Sequence, residues 1–232
     1  MIRIGKAADR GRGEHGWLSS RHTFSFAGYR DQEHMGFRSL RVMNEDRVAA
    51  GNGFGTHPHD NMEIISYVLE GELEHKDSMG NGSIIRAGEV QRMSAGTGVT
   101  HSEFNASKTE PVHFLQIWLL PEEQGLEPGY EQRGFDDQDR QNTLQLIASP
   151  DGRNGSLCIR QQSDIFLAAL AGEQAVRYQL RAGRKIYVQV TRGSVAVNGH
   201  AVQAGDGAAI TELETVELSG DEGGEVLLFD LP

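Results

Sequence analysis

Tyr67-Val68-Leu69-Glu70-Gly71-Glu72-Leu73-Glu74-His75 is followed by Asn81-Gly82 and then by Ala87-Gly88-Glu89. The same order returns later as Val188-Gln189-Val190-Thr191-Arg192-Gly193-Ser194-Val195-Ala196-Val197, Asn198-Gly199 and Ala204-Gly205-Asp206. Each copy reads strand, Gly turn, strand, Asn-Gly turn, strand, Ala-Gly-acid turn, because β-branched and aromatic runs are broken at fixed points by residues that favour turns. A coincidence of turns is the competing account, since Gly-punctuated meanders are common, but three turns in one order favour a repeat. Two such units in tandem predict an all-β chain of two small antiparallel barrels of the jelly-roll type. Further strand-like runs lie at 63–70, 83–86, 112–120, 143–148, 156–160, 185–190 and 226–231. Residues 121–140, with Pro121, Gly125, Pro128, Gly129, Gly134 and clustered Asp, read as the connection. The expected domains are therefore 1–134 and 135–232.

The chain has 232 residues, with 29 Gly and only 6 Pro, which suits many short strands and tight turns. Its net charge is −11, from 22 basic and 33 acidic residues, and no run of Lys or Arg stands out. Nucleic acid and anionic membrane are thereby disfavoured as partners. The one cysteine, Cys158, cannot form an internal disulfide and reads as a small strand hydrophobe. The first ten residues lack the apolar core of a signal peptide, and no apolar run reaches the ~20 residues that span a bilayer. A monomeric cytoplasmic protein is the expectation.

The residues that carry chemistry are Gly55-Thr56-His57-Pro58-His59-Asp60-Asn61-Met62-Glu63 and Gly98-Val99-Thr100-His101-Ser102-Glu103-Phe104-Asn105. Residues two apart on a strand share a side, so His57 can converge with His59, and His101 with Glu103. Together they offer three imidazoles and a carboxylate to one first-row divalent ion, with coordination positions left for chemistry. A lone His-x-His is more often a solvated turn; two pairs at matching spacing beside Gly-rich turns weigh against that. Asp60 and Asn61 are either partners that orient the imidazoles or turn formers. His15, His34 and His200 read as exposed, and His75 and His113 as hydrogen-bonded strand residues; His22 is a weak pocket candidate. Phe24, Phe26, Phe54 and Phe104 are candidates to line an apolar pocket, though core packing explains each one singly. In the second copy, Gln179 and Arg181 stand at the offsets that His57 and His59 occupy before the Gly turn. The second barrel is expected to hold no metal.

Residues 51–71 resemble the first cupin motif, and residues 88–105 resemble the second. There are departures: three residues separate His59 from Glu63 where many cupins have four, Ser94 replaces a common Pro, and the turn before His101 is longer than usual. Arg21-His22-Thr23-Phe24-Ser25-Phe26-Ala27, His57-Pro58-His59, Tyr67-Val68-Leu69-Glu70-Gly71, His75-Lys76-Asp77-Ser78-Met79-Gly80 and Thr100-His101-Ser102-Glu103-Phe104-Asn105 resemble pirins, closest to the bacterial pirin-like quercetin 2,3-dioxygenases. The resemblance implies two tandem cupin domains, a metal-binding one over 1–134 and a cupin-like one without ligands over 135–232. It implies ligands His57, His59, His101 and Glu103, with Glu63 left to a structural contact. It implies a dioxygenase that opens the central ring of a flavonol such as quercetin and releases carbon monoxide, with Glu103 as the base that takes the 3-hydroxyl proton. Iron(II) is the expected ion, with Zn, Ni, Mn, Co or Cu as alternatives. Two other readings are a metal-containing regulator or sensor that binds protein partners, which uses the same ligands, and a sugar isomerase, which the aromatic-rich motifs disfavour.

Overall fold

The structure is a computed structural model of the chain and describes residues 1–232, the side chains of Glu173 and Asp221 excepted. Strand β1 (Ile2–Gly5) opens it. There follow β2 (Gly11–Glu14), β3 (Leu18–His22), β4 (Leu40–Val48), β5 (Gly53–His59), β6 (Glu63–Glu70), β7 (Glu72–Asp77), β8 (Gly82–Arg86), β9 (Glu89–Ser94), β10 (Val99–Asn105), β11 (Val112–Leu119) and β12 (Gly129–Gly134). The last group is β13 (Gln145–Ser149), β14 (Leu157–Cys158), β15 (Asp164–Gln179), β16 (Lys185–Val197), β17 (His200–Gln203), β18 (Gly207–Ile210) and β19 (Thr215–Leu231). No helix is long and apolar enough to cross a membrane.

The chain divides into two compact units, and the all-β, two-cupin reading holds. The division differs from 1–134 and 135–232 at Phe135, which joins the N-terminal unit, and in two longer segments. Met1–Arg10 belongs with the C-terminal unit, because β1 pairs antiparallel with β18, Ile2 opposite Ile210. Ile159–Gln161 belongs with the N-terminal unit, where the backbone N–H of Glu122 donates to the Arg160 carbonyl at 2.8 Å. The expected connection is also partly a strand. Within it β12 pairs with β9, and Tyr130 stands opposite Met93.

The repeated Gly turns have one physical cause. Gly71 and Gly193 both adopt positive φ, +78° and +65°, and a Cβ would lie 2.7 Å from the Pro111 carbonyl oxygen or 2.1 Å from that of Gly223. Only glycine satisfies both demands without strain. Gly88 and Gly205 match likewise, at +85° and +84°.

The interiors of the units differ. In the C-terminal unit a large apolar cluster includes Val188, Val190, Val226 and Leu228. The N-terminal unit has a seven-stranded sheet in the order β12-β9-β6-β11-β4-β3-β2 and a four-stranded sheet in the order β5-β10-β7-β8. Its apolar contacts gather in separate clusters around Phe114 and around Ile64. Across the larger sheet the register aligns Gln91 with Ser66, Ser66 with Gln116, Gln116 with Asn44 and Asn44 with His22. Residues directly opposite on paired strands share a face. A buried polar row therefore crosses five strands of this unit.

Candidate metal centre

The pairing of β10 with β5 sets His101 opposite His57 and Val99 opposite His59. Strand alternation then turns His57, His59 and His101 to one side. Between His101 and Glu103 the register moves from His57 to Phe54, a bulge that places an extra residue in β5. Within it the His57 Nδ1–H donates to the Gly55 carbonyl at 2.8 Å. This leaves the Nε2 of a neutral His57 bare, the form that ligates a metal.

The three rings lie with centroids 4.5–4.9 Å apart. One nitrogen from each comes within 4.8 Å of the others, and Nε2 of His57 is 3.1 Å from Nε2 of His101. Burial, then the neighbouring His57, pushes His59 down to about 4, and burial with His57 and His59 pushes His101 down to about 3. Both rings are thus uncharged at neutral pH. The buried Nδ1 of His101 has no hydrogen-bond partner among the described residues. Three convergent imidazoles, two of them held neutral and one tautomer fixed outward, fit a first-row divalent ion.

Glu103 is buried on the same strand. Its Oε2 accepts from the Gln116 amide at 2.7 Å, and its Oε1 lies 3.2 Å from the Ser66 hydroxyl. Burial, and after it the Asp46 carboxylate, raises Glu103 to about 7. It does not close one tight group with all three expected histidines. It forms a second group with His75 and His101, so His101 belongs to both. His75 is the residue that sequence reading set aside. It is fully buried, its Nε2 lies 3.0 Å from an oxygen of Asp77, and it faces the centre because β7 pairs with β10, with His75 opposite Glu103.

The remaining candidates separate clearly. Glu63 is buried and accepts from Ser94 Oγ at 2.9 Å and from the Arg160 backbone N–H at 3.1 Å, outside both groups. Asn61 has a left-handed φ of 45° and accepts from the Gly125 N–H at 2.7 Å, a turn former's part. Phe24 is buried, Phe54 packs edge-on against Trp17 at 5.3 Å, and Phe104 is exposed on the face opposite Glu103. Of the four phenylalanines Phe26 lines a cavity beside the centre. His22 lies 2.9 Å from Asn44 and His113 2.9 Å from Glu45. In the C-terminal unit Arg181 pairs with Asp164 and Asp230, and Gln179 accepts from Thr215.

Two cavities meet at the centre's edge. One, of about 570 Å³, is lined by His59, Asp60, Thr97 and Thr100; the other, of about 300 Å³, by Phe26, Tyr29, Arg30 and Arg41. Both are lined by Met62 and Trp118. Trp118 meets His59 edge-to-face at 5.0 Å and Phe26 at 5.4 Å. Neither Trp118 nor Met62 was singled out from sequence: Met62 stands inside the first motif between Asn61 and Glu63, and Trp118 lies in β11, outside both motifs.

Comparison with known proteins identifies the family. Residues 5–119 match the Pirin family, and residues 146–231 match the quercetinase C-terminal cupin domain. A quercetin 2,3-dioxygenase of Escherichia coli (strain K12) is 50% identical over 232 residues, covering 100% of this chain and 99% of that protein. The crystal structure of the bacterial pirin YhhW from Escherichia coli in complex with nickel(II) has a TM-score of 0.96 at 50% identity, covering 100% and 99% of the two chains. YhaK from Escherichia coli is more distant, with a TM-score of 0.77 at 33% identity over 96% of this chain and 98% of that one. On the repeat, the histidine centre and this full-length likeness, the chain belongs to the pirin family of two-domain cupins.

Proposed function

We propose that this pirin is a dioxygenase that binds one divalent ion, with iron(II) the expected metal, on His57, His59, His101 and Glu103 and cleaves the central ring of a flavonol with release of carbon monoxide. The observation that carries the reading is the convergence of three imidazole nitrogens within 4.8 Å, with a Glu103 oxygen also within 4.8 Å of a His101 nitrogen. The activity named for the Escherichia coli relative, and the nickel(II) bound in the crystals of YhhW, support it.

When bound, the ion supplies Lewis acidity that favours the ionised form of a flavonol hydroxyl. The chain supplies the rest. His57, His59 and His101 would hold the ion through imidazole nitrogens. Glu103 takes the 3-hydroxyl proton, held within reach of the ion as a buried carboxylate on the same strand as His101. Ser66 and Gln116 fix its carboxylate, and each oxygen keeps a further lone pair for the ion or the proton. Trp118 and Met62 wall the cavity beside His59 and offer flat apolar surface to an aromatic ring.

The test is turnover of a flavonol by metal-loaded protein, followed as oxygen uptake and carbon monoxide release in equal amounts. No uptake above metal-free protein would contradict the reading and favour a binding protein on the same ligands.

A further inference from the structure

The smaller cavity is chemically unlike the larger one. Its walls are Phe26, Tyr29, Met35 and Trp118, and its charged residues are Arg30 and Arg41; no carboxylate lines it. Neither arginine has a carboxylate partner among the described residues. Arg41 is half-buried and uses Nη1 to donate to the Ser25 carbonyl at 2.9 Å, which leaves its other N–H donors unassigned. Asp31, the nearest acid in sequence to Arg30, is taken up by His34 at 2.7 Å and by the Glu33 N–H at 2.9 Å. In a chain of net charge −11, two unpaired guanidinium groups beside one aromatic cavity form a local exception. Guanidinium is the group best matched to a planar carboxylate.

The two cavities share Trp118 and Met62 as lining, so a ligand with one ring against His59 can extend a second toward the arginines. We infer that the Arg30–Arg41 chamber is a specificity subsite that receives an aromatic ring bearing a carboxylate, so that the preferred substrate is an anionic aromatic rather than a neutral flavonol. This deepens the metal-site reading and rests on it for the location of the first ring. An unsubstituted ring would gain only the apolar walls. A carboxylate on that ring would gain charge-assisted hydrogen bonds in a partly enclosed place, which makes roughly a tenfold or larger difference in binding.

The test compares 3-hydroxyflavone with its analogue carrying a carboxylate on the pendant phenyl ring, on nickel(II)-loaded protein. Binding is read from quenching of Trp118 in a Trp17→Phe background, which leaves Trp118 as the one tryptophan. Turnover is read separately. The subsite predicts that the acid binds about tenfold tighter than the neutral flavonol, and that Arg30→Gln and Arg41→Gln each reduce this ratio toward one, with Arg→Lys retaining part of it. Arg30 is exposed, so its substitution does not endanger the fold. Equal affinities in the wild type, or a preference that survives both Gln substitutions, would overturn the subsite. A preference that depends on the arginines without turnover of either compound would uphold the subsite and sink the dioxygenase reading instead.

Discussion

The side-chain amide of Gln116 donates to Oε2 of Glu103 at 2.7 Å, and its own carbonyl accepts from the Ser66 hydroxyl at 2.9 Å. Ser66 thereby sets which end of the amide faces the carboxylate. The hydroxyl has one proton and two acceptors, since Oε1 of Glu103 lies 3.2 Å away. A protonated Glu103 can resolve the competition by donating to Ser66, which closes a ring of three hydrogen bonds.

Gln116→Leu should therefore weaken metal binding by about 10–100-fold, the range found when a ligand loses its orienting partner. Ser66→Ala should do less, because Gln116 can still donate. Competition with a chelator of known affinity checks both. Unchanged affinity in Gln116→Leu would separate Glu103 from the ion.

Metal binding should release a proton from Glu103. The metal-free carboxyl is raised to about 7, so below that pH it keeps a proton that the ion must displace. Affinity should fall as pH drops through 7, by up to about tenfold per unit from this group. Calorimetry at pH 6 in buffers of different ionisation enthalpy should show wild type releasing about one proton more per ion than Glu103→Gln. The difference should vanish above about pH 8. Equal release at pH 6 would remove Glu103 from the ligand set.

Glu63→Gln should be a stability variant and not a metal variant. Its Oε2 accepts from both Ser94 Oγ and the Arg160 N–H, and a neutral amide oxygen in that buried place accepts more weakly than a carboxylate while its NH2 replaces the other carboxylate oxygen. The expected loss is about 1–3 kcal/mol in denaturant unfolding, with full metal content. Loss of metal without loss of stability would put Glu63 in the site.

Gly193→Ala should unfold the C-terminal unit more readily than Gly199→Ala. Both glycines have positive φ, but a Cβ at Gly193 would sit 2.1 Å from the Gly223 oxygen while one at Gly199 meets nothing within 4 Å. Gly199→Ala should cost about 1 kcal/mol, the penalty of φ alone, and Gly193→Ala distinctly more. Thermal unfolding of the two proteins compares them, and equal midpoints would contradict the close approach.

The pattern of what could be read from sequence follows contact range. The pairing of His57 with His59 and of His101 with Glu103 is a property of period two within one strand, and the structure keeps each pair on one side. The same alternation puts Phe104 on the opposite face from Glu103, a conclusion that was open to sequence reasoning and was missed. His75 reaches the centre through the β7–β10 register, and the Gln91-to-His22 row depends on four successive registers. Register follows from the hydrophobic pattern and turn geometry of both partner strands together, so no single residue reveals which side chain will stand opposite it. Arg30, in an irregular segment, and Arg41, near the start of β4, line one cavity with Trp118 of β11, a proximity that no local periodicity announces. Met1–Arg10 looks like the start of the first domain but completes the other, because β1 finds its partner edge at β18.

The central claim is a single ion on His57, His59, His101 and Glu103, and the direct measurement is anomalous diffraction from crystals of iron- or nickel-loaded protein. The account predicts one anomalous peak per chain, about 2.0–2.2 Å from a nitrogen of each of the three histidines and from an oxygen of Glu103. Replacing His101 with Ala should abolish the peak while the fold persists, since the apolar clusters around Phe114 and Ile64 are built from other side chains. A peak held by His75, His101 and Glu103 with His57 and His59 turned away, or a second peak in the C-terminal unit, would contradict it.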